Sequence, residues 1–271
     1  MSGVKVGEGM DWGRAKTILI LSFLFLNMIL GFQLWTSKSK QTELAADTTG
    51  IVEELNRVLS SKNIRLSEEL PKDVPKLTEI TVKFDETMKP DEKIPLKTPT
   101  TMNSILGKGT SKDVPARSEI PHLDLYQFDA IASKDGVYVF NQMYGGLPMF
   151  EVRVELFEDQ GQVTKYRQTY VVVEASGEQK EQKLIPAQLA VRSLVENYLS
   201  EGSIITDVRL GYHGQIYNSQ TQYMIPYWRV AIGNGDIYYV QAFNGAVEAP
   251  QNGFDNGPVA DVQPKKQEAS N

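Results

Sequence analysis

Residues 17–37 of this 271-residue chain carry no charged side chain and read TILILSFLFLNMILGFQLWTS, between Lys16 and Lys38. A helix needs roughly 20 predominantly apolar residues to cross the hydrocarbon core of a bilayer, and this uncharged stretch is 21 residues long. It is apolar on every helical face, which sets it apart from the half-buried helix of a soluble domain. A cleaved secretory signal has an apolar core of roughly 7–15 residues followed closely by small-x-small. Here the run ends in Gln33-Leu34-Trp35, and Ala45-Ala46 lies well downstream. The stretch therefore predicts an uncleaved, single transmembrane helix over 17–37.

Its flanks give the orientation. The short tail, residues 1–16, holds Lys5, Arg14 and Lys16, against Lys38 and Lys40 on the other side. Basic residues favour the cytoplasmic face, and a first helix with a short basic tail inserts tail-in. Residues 1–16 are thus expected in the cytoplasm and 38–271 outside it. Trp12 and Trp35 stand near the two ends, where indole rings favour the interface. Asn27 sits at the middle of the span and Gly31 one turn further on the same face. A buried amide seeks a partner on another helix, and a small residue allows close approach. Asn27 and Gly31 are therefore the candidate transmembrane interaction residues.

Residues 38–271 hold 25 basic and 32 acidic side chains, a net charge of −7. That speaks against nucleic acid, whose readers carry a clustered basic face. Cysteine is absent, which excludes a disulfide framework and thiol chemistry. An exported domain of this size then depends on its hydrophobic core, as in extracytoplasmic bacterial proteins.

Apolar periodicity predicts a helix over 42–60, with Leu44, Ile51, Val52, Leu55, Val58 and Leu59 on one side. It is read as a stalk over 38–62 or as a helix docked on the domain. A strand is expected over 77–84, then a long, partly extended loop over 88–117, where Pro90, Pro95, Pro99 and Pro115 cluster. From 123 to 175 the period changes to two, with a strand at 137–140 and a hairpin of 149–157 and 163–174. Pro186 opens a helix that Gly202 stops. Strands follow at 204–212, 223–232 and 237–240, with Gly233-Asn234-Gly235 as the last turn. The tail, 250–271, is polar and reads as disordered. The fold class is α+β, a mostly antiparallel sheet with packing helices spanning 63–249. Two hairpin units suggest two similar sub-units, 63–176 and 177–249.

No catalytic or metal constellation emerges. The chain has two histidines, His122 and His213, without zinc-type spacing. Both are read as ordinary surface or capped residues. Neither G-x-S-x-G nor H-E-x-x-H occurs. Gly145-Gly146 lacks the Lys-Ser/Thr of a phosphate loop and reads as a hairpin turn. The aromatics of 212–243 have two readings. They form cross-strand core pairs, or some are exposed as a protein-binding surface, for which Tyr212, Tyr217, Tyr227 and Trp228 are the candidates.

The block from Met10 to Asn27, MDWGRAKTILILSFLFLN, resembles the opening of the YycI (WalI) family, and Pro226–Val230 and Tyr239–Val247 are similar to that family's final sheet. The resemblance implies a membrane-anchored accessory protein of the WalK/WalR (YycG/YycF) two-component system of Gram-positive bacteria. It implies action with YycH, whose later domains share the fold, and contact with the sensor kinase WalK through transmembrane helices to tune cell-wall metabolism. No catalytic residue, cofactor or metal comes with it. The expected function is therefore a non-enzymatic kinase regulator of the cell membrane. The alternative is a tethered extracytoplasmic domain that binds a ligand or restrains a protease.

Overall fold

The structure, a computed structural model, describes residue 16 and residues 19–30, 48–85, 87–88, 91–107, 115–174, 180–214, 221–248 and 250. Helix α1 covers residues 19–30. The other elements build one large, mostly antiparallel sheet, a separate two-stranded pair of β2 (Lys76–Leu77) and β10 (Gln182–Lys183), and helices packed against them. The central path of the large sheet runs β14 (Val247–Glu248), β13 (Ile237–Gln241), β12 (Thr221–Ile232), β11 (Ile204–His213), β7 (Leu147–Asp159), β6 (Val137–Tyr144) and β5 (Tyr126–Lys134).

Helix α2, Thr48–Ser61, buries Ile51, Leu55 and Leu59, spaced four apart along one stripe. It lies on α5, Ala187–Asn197, whose Leu194 and Val195 are completely buried. Two polar ties hold the pair. Arg192 of α5 pairs with Glu54. Lys62 reaches past the end of α2 and donates to the carbonyls of Val195 (2.6 Å), Glu196 (3.0 Å) and Leu199 (3.3 Å). A cation suits that end of a helix, where carbonyls lack partners and the dipole is negative.

The two helices cover a four-stranded meander: β11 (Ile204–His213), β12 (Thr221–Ile232), β13 (Ile237–Gln241) and β14 (Val247–Glu248). Trp228, Val230 and Val240 point from it into the first core. A second meander consists of β5 (Tyr126–Lys134), β6 (Val137–Tyr144), β7 (Leu147–Asp159) and β8 (Gln162–Gln168). Its turns are Asp135-Gly136, Gly145-Gly146 and Gln160-Gly161, both residues of each at positive φ. Such two-residue turns match the twist of the strands they join. Short helices α3 (Met102–Leu106) and α4 (Pro115–Glu119) cover the second core, around Ile105, Ile120, Leu156 and Val163. The order of helix and then four-strand meander thus occurs twice. The meanders join where β11 runs parallel to β7, at Tyr212↔Met149.

Two regions differ from the sequence reading. The strand expected over 77–84 begins at Ile80, as β3 (Ile80–Phe84). Leu77 pairs separately with Gln182 and packs on the first core, whereas Ile80 and Val82 enter a third core with Val171 and Met224. The loop expected over 88–117 contains β4 (Ile94–Thr100), α3 and α4. Pro95 and Pro99 are tolerated because β4 is an edge strand, paired with β8 alone. Thr101 caps α3 by accepting from the Ser104 amide, and Pro115 occupies the first position of α4.

Candidate functional site

The junction of the meanders is where the buried charges gather. On β6 the register steps from Asn141 to Gln142, while on β7 it jumps from Arg153 to Met149. Residues 150–152 thus bulge out of the ladder toward β11. The bulge brings Phe150 over Gly211, where a β-carbon would meet the ring at 2.6 Å. Only glycine allows that approach. The Phe150 ring in turn lies 4.8 Å from the guanidinium carbon of Arg229 and 5.5 Å from the Tyr239 ring.

Arg229, on β12, is 1% exposed and Asp129, on β5, is likewise 1% exposed. The guanidinium grips the Asp129 carboxylate through both terminal nitrogens, Nη1 to Oδ2 and Nη2 to Oδ1 at 3.1 Å. Nη2 also donates to Asp207 at 3.3 Å. Asn141 donates to Asp129 at 2.6 Å, and the amides of Ile131 and Ala132 add bonds of 3.2 and 3.3 Å. Burial by itself pushes Asp129 toward the neutral acid. Arg229 and the donor bonds outweigh it and hold the carboxyl below the usual carboxylate range. The result is a buried ion pair linking strands one hundred residues apart in sequence, in which Arg229 Nε alone of the guanidinium nitrogens has no hydrogen-bond partner.

Beside it, His213 of β11 is held from four strands. Its Nδ1 meets Glu151 of β7, and its Nε2 meets Glu248 of β14 at 3.1 Å. The ring stacks on Tyr239 at 4.0 Å and meets Tyr227 edge-on at 4.8 Å. Tyr227 donates its hydroxyl to Glu248, and the Gly214 amide donates to Glu151 at 3.3 Å. Burial disfavours the charged ring, but Glu151 and Glu248 together prevail and raise its pKa above the ordinary value.

Helix α1 differs in kind. Ten of its twelve residues are large and apolar, and all ten are exposed, from Ile29 at 42% to Leu19 at 73%. Its two polar residues, Ser22 and Asn27, are exposed as well. At 1.5 Å per residue, the described helix is about 18 Å long, shorter than the roughly 30 Å of a hydrocarbon core. Among the described residues, no helix is long and apolar enough to cross a membrane. Gly31, Trp12 and Trp35 lie outside the described residues, as do the stretch 31–47 and the tail 251–271.

Of the four aromatics singled out in the sequence, Tyr212 (4% exposed), Tyr227 (6%) and Trp228 (0%) are in the core, and Tyr217 lies outside the described residues. Tyr212 packs in the third core, Trp228 donates its indole N–H to the Ile185 carbonyl, and Tyr227 serves Glu248. They are occupied by packing within the chain, as cross-strand pairs are. His122 is exposed and stacks on Tyr170 at 4.5 Å. Of the two readings given for His213, surface or capped, the structure shows the second: it is largely enclosed, with Glu151 from the bulge in β7 and Glu248 capping its two ring nitrogens. Among the described residues no group of three or more His, Asp or Glu is arranged to hold a metal ion. The Asp129–Arg229 and Glu151–His213–Glu248 clusters had no sequence signal, since their members are far apart in the chain.

The fold and its buried charges define an α+β protein whose internal polar groups fasten two meanders together. The model of the YycI protein family matches residues 36–243, and the chain belongs to that family. The match takes in Pro226–Val230 and most of the final sheet, and begins downstream of the opening block that first suggested the family. Membership is consistent with a regulatory accessory role. No curated protein matches the chain. Among solved structures, the C-terminal domain of YpeB from Bacillus megaterium is similar at 15% identity, with a TM-score of 0.34, covering 74% of this chain and 97% of that domain. An uncharacterized protein from Eubacterium rectale matches at 10% identity and a TM-score of 0.29, covering 77% of this chain and 78% of its own.

Proposed function

We propose that this protein is a membrane-anchored accessory regulator of the sensor kinase WalK (YycG), acting with YycH and without chemistry of its own. The observation that carries the reading is α1, whose ten large apolar side chains find no place in the folded domain. Leaving such a surface in water costs about 25 cal/mol per Å², whereas in hydrocarbon the same side chains are at home. Membership of the YycI family supports the placement in that pathway. The basic tail sets residues 1–16 inside and the sheet domain outside.

In this reading the kinase has at least two states, and the protein biases it by packing better against one of them. Asn27 is the side chain on α1 able to hydrogen-bond to a partner helix in lipid, with Ser22 as the other polar group. The sign of the effect follows from which state is packed better. The test is kinase autophosphorylation in vesicles, with and without the full chain. Output should change when the chain is present, and Asn27→Leu should weaken the effect about three- to tenfold, the range that one interhelical polar contact supplies. Unchanged output in the presence of wild-type chain, with or without YycH, sinks the proposal.

A further inference from the structure

We propose that His213 is a pH-dependent latch that holds the terminal strand β14 against the junction of the two meanders. Both ring nitrogens face carboxylates, Nδ1 toward Glu151 on β7 and Nε2 toward Glu248 on β14. A neutral imidazole has one N–H and one lone pair, so it serves one carboxylate and repels the other. The geometry is satisfied by the imidazolium, which donates to both.

The remaining groups around the ring are Tyr227 on β12 and Tyr239 on β13. Burial drives the pKa of each phenol further up, so both stay neutral wherever histidine titrates. Arg229 and Arg153 oppose that rise at Tyr239, and Glu151 and Asp129 add to it. Glu151 and Glu248 are thus the groups that shift the ring, and they hold its proton above the ordinary histidine pKa.

The two carboxylates are not equivalent. Glu151 is 14% exposed and has the Gly214 amide as a second donor, whereas Glu248 is 39% exposed. When the ring loses a proton, the remaining N–H stays with the more deeply buried acceptor, where a lost donor is costlier. The lone pair then faces Glu248. That residue sits on a strand of two residues, paired only with β13 through Tyr239↔Glu248 and Val240↔Val247. A short edge strand is the part of a sheet that opens first. Tyr227 remains as its one side-chain tie.

The sign follows. The stabilisation is complete below pH 6.5, the unfolded-state histidine value, and is lost as pH rises through the higher folded-state value. In the orientation proposed above, the surrounding medium sets the latch. The latch itself rests on side-chain geometry, so its test stands apart from the anchor and the kinase.

The experiment is hydrogen exchange of the full chain in detergent, at pH 5.5 and pH 8.5, each corrected for intrinsic exchange. The histidine carbon resonances are followed in parallel; the chain has two histidines to assign. Residues 239–248 should exchange about tenfold faster, or more, at the higher pH, the scale of one charge-assisted bond. The midpoint should coincide with the His213 titration. Glu248→Gln keeps an acceptor for Tyr227 but removes the charge, so it should abolish the pH dependence and lower the His213 pKa. Equal protection of 239–248 at both pH values in the wild-type chain overturns the latch. So does a pH dependence that persists in Glu248→Gln.

Discussion

Helices α1 and α2 are of similar length and lie close together in sequence, yet they meet their surroundings in opposite ways. Helix α2 has a stripe, with Ile51, Leu55 and Leu59 inside and Glu53, Glu54 and Arg57 outside. Helix α1 has no stripe, and Leu19, Phe23, Leu24 and Met28 are all more than half exposed. A stripe specifies one protein neighbour, because burying it leaves a polar face for water. An unbroken apolar surface specifies a solvent instead, and the solvent that suits it is hydrocarbon. The difference separates the two helices: α2 belongs to the domain's own fold, and α1 is the segment proposed above as the membrane anchor.

The comparison breaks most visibly if charge is put into α1. Each lysine near the centre of a span costs about 2.5–3.5 kcal/mol. Leu24→Lys with Phe25→Lys should therefore move the chain out of the membrane fraction while its melting temperature stays put. If the doubly substituted chain still sediments with membranes, α1 is not the anchor.

The domain should answer to a different set of residues. Asp129→Ala removes the bidentate partner of the buried Arg229 guanidinium and leaves it only the longer contact with Asp207, which costs about 3–5 kcal/mol. Replacing both with apolar residues should restore much of that stability in denaturant titrations. The same carboxylate predicts an acid limit. Its folded pKa is depressed, so its contribution is present above the ordinary carboxylate range and lost as pH falls through the lowered value. Membrane retention should be indifferent to either variant.

Leu55→Ala removes most of a side chain that is 2% exposed in the first core. The expected loss is about 2–5 kcal/mol, read as a fall in melting temperature. Lys62→Ala, which removes the cation from the end of α5, should cost about 0.3–1 kcal/mol. A loss as large as that of Leu55→Ala would show that the lysine holds more than a helix end.

The sheet was largely legible because its strands alternate, and β7, β11, β12 and β13 fall within a few residues of the expected spans, whereas the single return strand expected over 163–174 is divided into β8 and β9 (Val171–Glu174), the latter paired with β3. Gln160-Gly161 and Gly145-Gly146 marked the turns between them. The region 88–117 was not legible, because its prolines signal a loop and only the edge position of β4 makes them acceptable in a strand. The aromatic density of 212–243 pointed correctly to sheet but could not separate core from surface, since strand periodicity does not say which face is covered. The charged junction was invisible. Asp129 and Arg229 become partners only through a bulge in β7 and a parallel pairing between meanders, and neither leaves a local pattern.

The absence of cysteine from the chain makes the central claim directly measurable, because any introduced thiol is the sole site for a maleimide. Single-cysteine chains with Ser2→Cys or Glu69→Cys place that thiol in the tail or on the domain, where Glu69 is 88% exposed. They are treated on intact cells with a membrane-impermeant reagent. An anchor with its tail inside requires that Glu69→Cys be labelled at once and Ser2→Cys only after the membrane is opened. Equal labelling of both on intact cells, or labelling of the tail alone, contradicts it.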